Sequence, residues 1–527
     1  MRLTGQRLLA LFVLVIVAAA GCSASTSPQV ITATPAVATN AAAPADTAPG
    51  VTSTTPTPAS AAPDIDAFMR DLMDMYDIPG AGLALVQNGE VVVAHGYGMR
   101  STGTGAPVTP DTLFAIGSVT KSFTALDVMQ LVDGGQVALD APVASYIPAF
   151  ALSDPDTTQR VTVRDLLAQT SGLPGGDDAA WVSGQVSTLQ EAVEYAATLN
   201  LAAAPGSAHI YDNFNYAIAG YLVEQVSGQT WEAYTREHVL TPLDVGAAFD
   251  IPAMQQAADH AVPHSLDVLE GMQPAEFVSL SGIAPAGALN ASARGMANYL
   301  LLQLGDGTFG GATLLSPALL DEMHAQQAAY PPQPPIGPTG FQTNGYALGW
   351  FTADFNGMQV VWHNGSIDGF YTIVMLVPAQ NVGVAVLSNA GLGTGSLFTL
   401  AASLGLLEQR LGIDAGRDVV AALNVEASFD PADRRARLDA ARSYEANSDE
   451  WAALVGDYGG LQVEIREDTV YLMTPQSIAL TPYEANGFLA ANRSRDGLIT
   501  TYSFVPGDDG SVALYRDGTL IGQKVSG

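Results

Sequence analysis

One cysteine, Cys22, and two lysines, Lys121 and Lys524, are all that this 527-residue chain holds of those two types. A single thiol excludes an intrachain disulfide framework, a cysteine metal site and a thiol redox pair. The other 18 basic residues are arginines. Arginine does not give up its proton in a protein, so lysine-dependent proton transfer has few places to sit. Acidic residues number 52 and the formal charge is −32. Such a surface repels nucleic acid and anionic lipid, and neither is expected as a partner. Long apolar runs are also scarce. Leu8 to Ala20 is apolar for 13 residues, too short to span a bilayer comfortably. Neither a phosphate-cradling glycine loop nor a Gly-x-Gly-x-x-Gly after a strand occurs. His260-x-x-x-His264 has helix-like spacing, but it contains Pro263, which a helix interior does not tolerate. No metal and no cofactor are therefore expected.

What is present begins with a usable core, since 48% of residues are hydrophobic. Arg2 and Arg7 precede the short apolar run, which ends in Ala19-Ala20-Gly21-Cys22. This resembles a bacterial lipoprotein signal over residues 1–22, in which Cys22 is lipidated and becomes the new N-terminus. Ala19 stands where Leu is commoner, and ordinary signal cleavage is the alternative. The expectation is export, with a lipid anchor on the extracytoplasmic face of a bacterial membrane as the only membrane contact. Residues 23–62 are nearly all Ala, Thr, Pro, Ser and Val, with Asp46 the one charge. That composition predicts an extended, disordered tether.

Folded structure is expected from residue 63. Apolar spacing predicts a helix over 64–76. Residues 82–97 read as a hairpin turning at Asn88-Gly89. A buried helix is expected over 118–132, and a mostly helical stretch over 160–240. Strand patterns return at 345–352, 358–363, 370–377 and 382–388, followed by a helix near 395–411. The class is α/β: an antiparallel sheet flanked by helices, with a helical subdomain, over 63–412. A charged helical connector, 413–450, leads to short runs separated by Gly-rich turns. These predict a small all-β, barrel-like domain over 451–527.

Three motifs carry chemistry. In Gly117-Ser118-Val119-Thr120-Lys121, positions i and i+3 share a helix face, so Lys121 can reach the Ser118 hydroxyl. Serine needs a base to act as nucleophile, and a helix start offers free N–H groups for an oxyanion. Alone, the pattern equally describes a serine cap beside a snorkelling lysine. Tyr211-Asp212-Asn213 offers a phenol to relay a proton and an amide to hold a lysine or substrate carbonyl. Alone, it is equally an Asx-rich turn. In His363-Asn364-Gly365-Ser366, Gly365 permits close backbone approach. The Ser366 N–H would serve as a second oxyanion donor. Alone, this is equally a turn at Asn364-Gly365 beside a sheet histidine.

In this order and spacing, the three motifs resemble those of the serine β-lactamase and penicillin-binding-protein family, with its related esterases and D-aminopeptidases. The likeness runs over roughly 63–410 and includes Thr170-Ser171-Gly172-Leu173-Pro174, Gly287 and Tyr346-Ala347-Leu348-Gly349-Trp350. It implies a β-lactamase-like fold and an acyl-enzyme on Ser118. Lys121 and Tyr211 would move protons, and Asn213, His363, Gly365 and Ser366 would face the substrate or oxyanion. The C-terminal segment resembles the small β-barrels often appended to such enzymes. The third motif departs from the usual Lys-Thr-Gly, so a substrate carboxylate loses its cationic partner. Ala168-Gln169, where Thr-His is common in relatives, reads as structural variation. The expected activity is on an ester or amide in a small or cell-wall-derived substrate. A β-lactamase or DD-peptidase comes second, and a non-catalytic cell-surface binder on the same fold third. If Cys22 carries the anchor, Cys22→Ser protein moves from the membrane to the soluble fraction. Retention in the membrane would count against lipidation.

Overall fold

The computed structural model describes residues 65–524, apart from 153, 177–178, 250, 278, 332–333, 337–338, 368, 414–417, 446–447, 475–476, 492–497 and 508. The lipoprotein signal, Cys22 and the tether lie outside the described residues.

The first described helix, α1 (Ile65–Tyr76), buries Met69, Leu72, Met73 and Tyr76 at helical spacing. Strands β1 (Gly80–Gln87) and β2 (Glu90–Gly98) follow as a hairpin. Its turn residues Asn88 (φ 54°) and Gly89 (φ 75°) are both left-handed, which suits the twist of paired strands. The chain then enters a helical region that includes α2 (Thr120–Asp133), α3 (Val163–Leu167) and α4 (Asn213–Ser227). A small hairpin, β3 (His264–Asp267) and β4 (Gly271–Pro274), precedes the short α5 (Ala284–Gly287) and the longer α6 (Ala293–Leu304). The sheet is completed by β5 (Ala328–Ala329), β6 (Phe341–Tyr346), β7 (Phe351–Phe355), β8 (Met358–Ile367), β9 (Phe370–Val377) and β10 (Val382–Ser388). Helix α7 (Thr394–Leu411) closes the domain.

The eight strands form one antiparallel sheet in the order β2-β1-β10-β9-β8-β7-β6-β5. Strands β9 and β10 are buried along their whole length, so both faces of the sheet are covered. Period-two alternation sorts their side chains between two cores. Leu83, Leu85, Ile373, Met375, Val384 and Val386 pack with α1 and α7. Ala84, Val86, Val374, Leu376, Ala385 and Leu387 pack with the helical region.

Two local readings need correction. The run 345–352 is not one strand. Gly349 (φ 83°) breaks it, and there the chain presses against the Lys121 carbonyl and Ala125. Nor is Asn364-Gly365 a turn, for β8 runs unbroken through both to Ile367. Gly365 serves close approach instead, as described below.

Two helices, α8 (Val419–Glu426) and α9 (Pro431–Ser443), lead to the C-terminal unit. There eight antiparallel strands, from Gly456–Asp457 to Thr519–Lys524, pair in chain order into a nearly closed barrel. The last strand returns beside the first: Lys524 Nζ donates to the carbonyls of Ala453 (2.8 Å) and Val455 (2.6 Å). Trp451, Tyr458, Phe488 and Phe504 meet edge to face and fill the interior. Helix α9 ties the two units together. It packs Leu438 and Ala441 on Val268 and on Leu489 of the barrel. Its arginines reach the first unit, Arg434 at Asp77, Arg435 at the Asp74 carbonyl and Arg442 at the Leu269 carbonyl. Among the described residues, no helix is long and apolar enough to cross a membrane.

Two buried histidines make this fold sensitive to acid. His264 takes the Thr102 N–H (3.1 Å) on Nε2 and meets the Asn389 carbonyl (3.2 Å) through Nδ1, pinning β3 to the main sheet. His324 lies beside Gln303 (2.8 Å) under α6. Burial lowers each from the ordinary 6.5 to about 4. Between these values the unfolded chain binds more protons than the folded one, so stability falls as pH drops through that window. We expect the urea midpoint at pH 4.5 to lie below that at pH 7, with the unfolding free energy lower by on the order of a few kcal/mol, and His324→Gln to flatten part of the slope. Equal midpoints at the two pH values would refute this.

Candidate active site

The site forms where the start of α2, the start of α4, the short α5 and strand β8 meet. Residues Gly117–Val119 make a 3₁₀ turn that leads into α2. Gly117 has φ 50°, and the Thr120 hydroxyl donates to its carbonyl (2.7 Å). This turn lifts Ser118, which is partly exposed, above Lys121, which is fully buried. Lys121 Nζ lies 3.1 Å from Ser118 Oγ, 2.8 Å from Asn213 Oδ1 and 2.8 Å from the Ala286 carbonyl. Three acceptors from three segments thus satisfy the three donors an ammonium carries. The Tyr211 ring centroid is 4.8 Å from the same nitrogen.

Asp212 explains why the second motif sits there. It is the N-cap of α4, its carboxylate accepting the Phe214 N–H (2.8 Å). That leaves Asn213 as the first helical residue, facing Lys121, with Tyr211 just outside the helix.

The third motif is held by close packing. A Cβ on Gly365 would fall 1.7 Å from the Ile116 carbonyl oxygen and 3.0 Å from the Ser118 nitrogen. A Cβ on Gly117 would fall 2.8 Å from the Ser366 nitrogen. The glycines let strand and turn touch, so the turn that carries Ser118 lies against the strand that carries Ser366.

His363 lies near these groups, its ring centroid 6.3 Å from that of Tyr211. It is fully buried, with Nδ1 2.6 Å from the Asn364 carbonyl and Nε2 3.1 Å from the Tyr346 hydroxyl. Both ring nitrogens therefore have partners inside the protein. Burial, and then the Lys121 charge, push the imidazole down to about 3. Tyr346 in turn hydrogen-bonds Tyr216, whose hydroxyl donates to the Leu167 carbonyl (2.7 Å). Burial raises both phenols far above the usual tyrosine range. The structure thus brings Ser118, Lys121, Tyr211, Asn213, Gly365 and Ser366 together, with His363 buried beside them and bonded at both ring nitrogens.

The sequence reading missed three participants. The Ala286 carbonyl is a backbone group, and its one signal is Gly287, which ends α5. Tyr216 follows Asn213 at i+3 on α4, a spacing that was available. Tyr346 arrives from a distant strand. Among the described residues, no group of three or more His, Cys, Asp or Glu side chains could hold a metal.

Comparison with known proteins adds a second line of observation. The family model described as Beta-lactamase matches residues 65–406. Penicillin-binding protein 4 of Amycolatopsis lactamdurans is 30% identical over 335 residues, 62% of this chain and 84% of that protein. Protein flp of Staphylococcus aureus (strain MW2) is 27% identical over 330 residues, and the chain spans 62% of its length. Among solved structures, the octameric penicillin-binding protein homologue from Pyrococcus abyssi overlays with a TM-score of 0.58 at 26% identity. That overlay covers 86% of this chain and 98% of the other, so it extends past the residues that the family model matches. A class C beta lactamase from Rhodobacter sphaeroides shares the fold, with a TM-score of 0.52 at 20% identity over 65% of this chain and 98% of its own.

The contact of Gly365 with the turn gives a direct test. Gly365→Ala must push β8 off Ile116, and overpacking of this kind costs about 1–3 kcal/mol. Gly246→Ala, in open space with no left-handed φ, should cost almost nothing. Urea midpoints of the two variants measure the difference. Equal midpoints would show that the contact is looser than described.

Proposed function

Because the chain belongs to the Beta-lactamase family of serine hydrolases, we propose that it is an exported hydrolase that forms an acyl-enzyme on Ser118. The observation that carries this is Lys121, fully buried with its amine 3.1 Å from Ser118 Oγ. A lysine serves as base only where water is kept from it, since the ammonium must lose a proton first.

In this reading Ser118 Oγ attacks the carbonyl carbon of an ester or amide. Its proton passes to Lys121 or Tyr211, which titrate as a coupled pair. The carbonyl oxygen, now anionic, receives the Ser118 and Ser366 N–H groups. The bond to the leaving group breaks as that group takes the proton. Water then attacks the acyl-enzyme by the same route, releasing the acid and restoring the Ser118 hydroxyl. Asn213 holds Lys121 in place through its amide oxygen.

The third motif supports a substrate without a carboxylate at this point. A neutral, buried His363 engaged at both nitrogens gives such a group no charge and no free donor. A small ester, a peptide or a D-amino-acid amide therefore comes first. The name of the Amycolatopsis relative supports a second reading, a β-lactamase or peptidoglycan DD-peptidase. Export and the Cys22 anchor belong to the same proposal and rest on residues 1–22.

Fluorophosphonate and fluorescent penicillin, each followed by mass spectrometry, test the proposal. Ser118 should take the fluorophosphonate. Lys121→Ala should slow that labelling by about 10²–10⁴-fold, the usual contribution of a positioned base. Folded protein that takes neither probe on Ser118 would sink the enzyme claim. Labelling by both probes would favour the second reading.

A further inference from the structure

Gln169 directly follows the region of α3, at a position that the sequence alone marks only as a departure from relatives. It is fully buried and holds φ 60°, the left-handed region that side chains other than glycine seldom adopt. Such strain persists only where the surroundings demand it. The surroundings here are the second motif. The Gln169 carbonyl accepts the Ile210 N–H (2.8 Å), and its Oε1 accepts the Asp212 N–H (3.0 Å). One residue therefore holds the N–H groups of the residues before and after Tyr211. The same Oε1 accepts Asn215 Nδ2 (2.6 Å), which fixes the first turn of α4 as well. Glycine would relieve the backbone at this point but would lose two of these three bonds.

The helix before it makes a firm base for this hold. Thr162 and Asp165 form a reciprocal cap at the start of α3. Asp165 also accepts the Thr170 hydroxyl (2.7 Å), and Thr170 accepts the Gly206 N–H (2.8 Å). Gln169 thus sits between two anchored points.

We propose that Gln169 is a positioning residue for the proton-transfer group: it sets Tyr211 and Asn213 against Lys121 by gripping the backbone on either side of Tyr211. The inference rests on the hydrolase reading, because its effect is seen only through Ser118. Gln169 touches no reacting atom. Its loss leaves the residue types intact but frees the segment that carries them, and small misplacements in such geometry cost on the order of 10²-fold in rate.

The test uses the full chain with Gln169→Gly, Gln169→Leu and Gln169→His. The first removes the side chain and the strain together, so it guards against a leucine variant that fails to fold. The third returns an acceptor nitrogen. The readouts are the rate of fluorophosphonate labelling of Ser118 against pH, and the thermal midpoint. The glycine and leucine variants should label about 10- to 100-fold more slowly, with a displaced pH–rate profile. The histidine variant should recover much of the rate. Wild-type rate and profile in a glycine or leucine variant, with only the thermal midpoint lowered, would show a structural role and overturn the proposal. Wild-type protein that takes no label overturns the hydrolase reading, and this inference with it, and that outcome is distinct because the variants are then not needed.

Discussion

A buried amine is the constraint around which this site is built. Lys121 is cut off from water, and a polar nitrogen in that position is costly unless every donor is met. Ser118, Asn213 and the Ala286 carbonyl meet them. Each partner belongs to a different segment, so the turn before α2, the start of α4 and the short α5 are drawn to one point. Strand β8 is then fixed by a separate demand, the glycine-to-glycine contact that leaves no room for a Cβ on either side. The chemistry and the packing of the domain share the same few atoms.

Much of this was legible because it is local. The Ser118–Lys121 spacing, the Asn88-Gly89 turn and the barrel turn at Asp517-Gly518 are set by helix geometry and by φ, both readable over a few residues. Other features were hidden because glycine carries two meanings. At Gly349 a positive φ splits what reads as one strand, while at Gly365 the same residue type marks close approach inside a continuous strand. The place of His363 was beyond reach for another reason. Whether a histidine faces substrate or packs against a phenol depends on Tyr346, which only the β6-to-β8 arrangement brings near. Gln169 shows the same limit. Nothing in its neighbours reveals that its carbonyl and its side chain both point at residues some forty positions on.

The two lysines divide the labour between the two units. Lys121 organises the cleft, and Lys524 fastens the end of the barrel to the carbonyls where it begins. The barrel interior is packed with aromatic rings, which gives it the character of a solid brace. Helix α9 transmits that brace to the first unit, with arginines against Asp77, Asp74 and Leu269 and an apolar face against Val268.

The spread of Lys121's partners along the chain has a consequence for how the protein matures. A newly made chain can form α2 early, since helices need only near neighbours, but it cannot shield the amine until α4 and α5 have arrived. Before then the amine remains hydrated, and in the proposed reaction Ser118 would lack its base. On the proposed reading, reactivity would then be withheld from partly folded chains until the three segments meet.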